Sequence, residues 1–106
     1  MSSDKPIIDF EGIPWETPVA GLRMKSTERF GLCLRLVEVS SDFKEPDWCL
    51  KGHYGYVLEG ELEINFNGVQ QRVRAGQGIA IPEDGEFRHK AMVIGPSAVL
   101  FLVERP

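Results

Sequence analysis

Cys49 and His53 stand four residues apart in the stretch Trp48-Cys49-Leu50-Lys51-Gly52-His53-Tyr54-Gly55-Tyr56-Val57-Leu58-Glu59-Gly60, which joins a polar loop to an apolar strand. The second histidine, His89, lies far along the chain in another strand-like segment. Imidazole and thiolate together suit zinc, iron, nickel or copper, and a protein metal site of moderate strength needs three or four such side chains converging on one point. Joint chemistry by these residues therefore requires a fold that carries remote strands into one interior. Cys49 also reads as a nucleophile or redox thiol, with Lys51 and His53 near it in sequence to lower its pKa; this reading ranks below ligation. The plain alternative is that both histidines are hydrogen-bonded polar residues inside an apolar barrel, with Cys49 facing water.

The elements that must position these residues are strands. Residues 1 to 21 carry Pro6, Pro14, Pro18, Gly12 and Gly21, which exclude a regular helix and leave short extended pieces such as Pro6 to Phe10. The apolar side chains of Ile7, Ile8, Phe10, Ile13 and Trp15 make this segment an arm that packs on its own barrel or on a neighbouring subunit. A short strand is expected over Leu22 to Thr27. From Phe30, the residues Phe30, Leu32, Leu34 and Leu36 share one parity and Cys33, Arg35 and Val37 the other, the period-two signature of a strand. If the Cys33 face lines a barrel mouth, Arg35 is placed to pair with a carboxylate; a surface arginine is the commoner outcome.

Ser40 to Lys51 reads as a loop. His53 to Glu59 is a strand, Gly60 a turn, and Leu62, Ile64 and Phe66 alternate with Glu61, Glu63 and Asn65 in the cleanest strand of the chain. Tyr54 and Tyr56 fall on the side opposite His53 and read as packing residues. Asn67-Gly68 predicts a type I′ hairpin turn into Val69 to Arg74. Further strands are expected at Ile79 to Ile81, Phe87 to Ile94 and Ala98 to Val103, the last two separated by a turn at Gly95-Pro96. Arg72, Arg88 and Lys90 read as solvated charge on polar strand faces. About eight short strands and no 3.6-residue apolar stripe point to an all-β antiparallel sandwich or barrel.

With 106 residues, 42% of them hydrophobic, the chain holds one compact domain. Its formal charge of -4, with both signs mixed along the length, offers no basic stripe for nucleic acid and no polybasic segment for a membrane. The start of the chain has no secretory pattern and no apolar run spans a bilayer, so a cytoplasmic location is expected and Cys33 and Cys49 read as free thiols.

Two blocks within residues 30 to 104 resemble the cupin superfamily, small barrels of the jelly-roll type. The first is the Tyr56-Val57-Leu58-Glu59-Gly60 strand end; counting back from Gly60, it puts His53 where the family has a glutamate, and Cys49 and Asp47 where it has two histidines. The second is Gly76, Pro82, Gly85 and His89, with one extra residue between Gly85 and His89. The resemblance implies a single-domain cupin barrel over residues 30 to 106, preceded by the arm and first strand over 1 to 29. It also implies a divalent metal (Zn, Fe, Ni or Mn) held by His53, His89, Cys49 and Asp47, with no organic cofactor.

The function expected is binding of a metal and a small organic molecule, in a metal-dependent enzyme of the dioxygenase or isomerase type. A metal-free binding or sensory module is the alternative, and a purely structural subunit the third reading. The arm and the free strand edges lead us to expect a homodimer.

Overall fold

The computed structural model describes residues 5–45 and 47–106; Met1 to Asp4 of the expected arm and Pro46 of the expected loop lie outside the described residues. Among the described residues are seven strands: β1 Glu16–Val19, β2 Leu22–Arg29, β3 Leu32–Ser40, β4 His53–Phe66, β5 Val69–Arg74, β6 Gly78–Ile81 and β7 His89–Glu104. All pair antiparallel, in the order β1-β2-β3-β7-β4-β5 with β6 on β4. No helix among these residues is long and apolar enough to cross a membrane.

Two strands are much longer than their sequence suggested. Gly60 and Gly95-Pro96, expected as turns, lie inside β4 and β7, which pair with each other through both positions. Gly60 has φ +81° and Gly95 φ +90°, and the β4–β7 register shifts between Val57 and Glu61. An extra residue of this kind forms a bulge, which bends the strand and switches which parity faces inward. Before the bend β4 buries Val57, and after it Leu62 and Ile64; β7 buries His89 and Val93 before its own bend, and Ala98, Leu100 and Glu104 after it.

The bend divides the strands into two layers. One contains β1, β2, β3, the second half of β7, the first half of β4, and β6; the other contains the first half of β7, the second half of β4, and β5. Val37, Val39, Val57, Ala98 and Leu100 of the first layer pack with Leu62, Ile64, Val73 and Val93 of the second. Each valine, leucine or isoleucine among them contributes roughly 1.5–3 kcal/mol by leaving water.

β3 begins at Leu32, because Phe30 (φ +53°) and Gly31 (φ +77°) make the turn from β2. Phe30 is therefore exposed at a turn, and not the first residue of a strand. The inward face of β3 is the one carrying Cys33, Arg35, Val37 and Val39, while Leu34 and Leu36 face the outer side, where the arm runs. Phe10, at the start of a 3-10 turn over Phe10–Gly12, packs edge-on against Phe101, with ring centroids 6.0 Å apart. Lys25 Nζ donates to the Phe10 carbonyl (2.8 Å), Arg29 Nε donates to the Lys5 carbonyl (3.1 Å), and Arg23 and Lys25 lie over the Trp15 ring. The arm thus packs on its own sheet. The Asn67-Gly68 hairpin forms as its sequence predicts, with both residues at positive φ (+50° and +102°).

At Gly60 an added Cβ would come within 2.3 Å of the Ser97 carbonyl oxygen and 2.8 Å of Ala98 Cα, whereas nothing lies within 4 Å of one at Gly31. Gly60→Ala is expected to lose about 2–4 kcal/mol, backbone strain adding to a backbone overlap. Gly31→Ala loses only about 1 kcal/mol from its left-handed φ. Urea denaturation midpoints of the two variants check the difference.

Candidate functional site

His53 opens β4 and His89 opens β7. In the antiparallel pair these are opposite ends, since His89 is the partner of Phe66 while the start of β4 lies beside the end of β7. Yet the two rings stack edge-to-face with centroids 5.1 Å apart. The curled pair therefore delivers both imidazoles to one point.

The loop between β3 and β4 supplies the third group. Cys49 N donates to the His89 carbonyl (2.8 Å) and His89 N donates to the Cys49 carbonyl (3.0 Å), an isolated bridge that pins the loop to the first residue of β7. Trp48 lies under Arg88 and Lys90 at 4.9 and 5.0 Å, so those cations hold the loop, where the sequence suggested solvated charge. One donor atom each from Cys49, His53 and His89 lies within 4.8 Å of the other two, and Cys49 Sγ is 3.5 Å from His53 Nε2. Asp47, the fourth residue of the expected set, is exposed and is not part of this group.

Hydrogen bonds settle how the rings present themselves. His89 Nδ1 donates to the Phe87 carbonyl (3.1 Å), and His53 Nδ1 donates to Glu104 Oε2. With each Nδ1 committed as a donor, each Nε2 is left with its lone pair, the form that binds a metal ion.

Glu104 is only 3% exposed and ends β7, with Arg35 Nη1 standing 3.1 Å from its Oε1. Burial by itself raises the pKa of this carboxyl. The hydrogen bond from His53 and, when that ring is protonated, its charge, then the charges of Arg35 and Lys51, outweigh burial and hold it below the usual carboxylate range. The Cys49 thiol is pushed up, chiefly by burial and further by the charges of Glu45 and Glu104, against the Lys51 backbone N–H and the Lys51 charge. Burial thus favours the thiol over the thiolate, and a metal ion must displace its proton.

These groups line one end of a cavity of about 290 Å³. Leu22, Met24, Val37, Ile64, Leu100 and Leu102 are among its apolar walls; Arg35, Glu45, Cys49, Lys51, His53, His89 and Glu104 are its polar lining. A larger depression, about 510 Å³, lies between β5 and β6 but contains none of the ligating trio.

Sequence reasoning missed Glu45 and Glu104. Glu45 Oε1 accepts from Ala91 N (2.9 Å), which holds its carboxylate at the cavity wall. Glu104 shares the parity of Ala98, Leu100 and Leu102, so an acid on the buried face of an apolar strand was the available signal. Arg35 lines the cavity with its side chain 27% exposed. Tyr54 and Tyr56 point outward, and both cysteines are free thiols.

No family model matches the chain, and no curated protein matches it. Solved structures do. An RmlC-like cupin from Shewanella frigidimarina superposes with a TM-score of 0.76 at 18% identity, over 97% of this chain and 92% of that one. KdgF from Halomonas sp. gives 0.73 at 21% identity, over 91% of each chain. HppE in its iron(II) form gives 0.74 at 17% identity, over 98% of this chain and 62% of that one. The chain has the all-β cupin fold.

Removing the Glu104 charge strands Arg35 and releases the His53 ring. Glu104→Gln is expected to lose about 3 kcal/mol at neutral pH, as for breaking a buried ion pair. A carboxylate with a depressed folded pKa contributes its stability above the unfolded value and loses it as the pH falls through the folded one. The gap between wild type and variant should therefore close in acid, below the usual carboxylate range. Urea denaturation of both proteins across that range checks it.

Proposed function

We propose that this protein holds a divalent metal ion through His53 Nε2, His89 Nε2 and Cys49 Sγ, and takes a small organic molecule in the adjoining cavity. The observation that carries the reading is the convergence of three donor atoms within 4.8 Å, with both imidazole Nδ1 protons turned away from that point. Two imidazoles and a thiolate favour zinc, iron, nickel or copper over magnesium, calcium or manganese. A bound metal would supply a Lewis acid with a coordination position open to the ligand.

The chain's own residues do the rest. Glu104 orients His53 and raises its basicity, the Phe87 carbonyl orients His89, and the bridge to His89 fixes Cys49. The apolar walls exclude water from the ligand's body. HppE, a protein of the same fold, has been solved in an iron(II) form.

A second reading, a metal-free binding module, is favoured by the fact that each histidine already has a hydrogen-bond partner within the protein. Titration with cobalt(II) separates the two. The metal reading expects one cobalt per chain and a thiolate-to-cobalt charge-transfer absorption that Cys49→Ser abolishes. His53→Ala and His89→Ala should each weaken binding by about a hundredfold or more, while Asp47→Asn leaves it unchanged. Absence of stoichiometric cobalt in the wild type would sink the metal reading and leave the binding module.

A further inference from the structure

Beside the ligating trio the cavity has a second polar cluster that metal binding does not use. Arg35 spends Nε on Cys33 Sγ (3.2 Å) and Nη1 on Glu104 Oε1 (3.1 Å), which leaves Nη2 for a ligand. Ser26, the direct cross-strand partner of Arg35, is not part of the cavity lining, so the guanidinium is the donor that faces a ligand there.

Charge identifies the sign of that group. Arg35 and Lys51 balance Glu45 and Glu104 around the cavity, and a divalent ion with one thiolate then adds a single net positive charge. An anion neutralises it. The rest of the wall is aliphatic, and about 290 Å³ lies at the small end of the roughly 300–1,000 Å³ usual for ligand pockets. We propose that the cavity selects a compact apolar monocarboxylate, with Arg35 Nη2 donating to its carboxylate and the aliphatic walls taking its body. A carboxylate fits because the guanidinium is a donor only and its charge strengthens the bond. The charge count rests on the metal reading above; the Arg35 donor does not.

Calorimetric titration of the zinc-loaded protein with hexanoate and with hexanamide tests this, because the two probes differ in head group and hardly in volume. Hexanoate is expected to bind about tenfold or more tightly than hexanamide, the scale of one hydrogen bond to a charged group. In Arg35→Gln that preference falls to about threefold or less while one zinc per chain is retained; Arg35→Lys, which keeps the charge but not the planar fork, retains more of it than Arg35→Gln does. No binding of hexanoate, equal binding of the two probes, or a preference unchanged in Arg35→Gln overturns the proposal. If the wild type takes up no zinc, the same titrations on the metal-free protein decide it. A carboxylate preference that Arg35→Gln abolishes then upholds the anchor while the metal reading falls, and its absence overturns the anchor as well.

Discussion

The pairing of β4 with β7, bent at Gly60 and Gly95, is the constraint from which the rest of this structure follows. Straight, the fourteen residues of β4 would span about 45 Å at roughly 3.3 Å per residue, and the histidines at the two ends of the pair could not meet. The bulges fold the ribbon onto itself, so one half faces the other across a layer of valine, leucine and isoleucine. Packing of that layer and meeting of His53 with His89 are one event. Gly60 is indispensable to it because the Ser97 carbonyl occupies the space a side chain would need.

Within that frame the polar residues form a graded set. The backbone bridge between Cys49 and His89 orders the loop, and hydrogen bonds to Phe87 and Glu104 turn both rings so that their Nε2 atoms face inward. Glu104 is the most consequential of these groups. A carboxylate 3% exposed stays ionised only because His53 and Arg35 stand on either side of it. The network links ring orientation on one side to a guanidinium on the other, so the groups suited to a metal and those suited to an anionic ligand are mechanically continuous. The aliphatic remainder of the cavity strengthens every charge at its polar end by excluding water.

Much of the fold was legible in the chain because strands with one buried face write their period into the sequence. The alternation at Leu62, Ile64 and Phe66 and the Asn67-Gly68 turn each depend on local conformation, and each appears where expected. Gly60 and Gly95 were misread for a local reason as well. A glycine at positive φ serves a tight turn and a bulge equally, and only the partner strand distinguishes them.

By itself, then, the amino-acid order determined the strand content, the hairpins and the two residue types able to act together, because these follow from backbone preferences and from side-chain chemistry at short range. Tertiary structure alone decided which acid stands beside His53. Asp47 is two residues from Cys49 yet lies in water, while Glu104, fifty-one residues from His53, shares its proton-bearing edge. Distance along a chain does not report distance through a curled sheet, and a carboxylate finds its partner by the second.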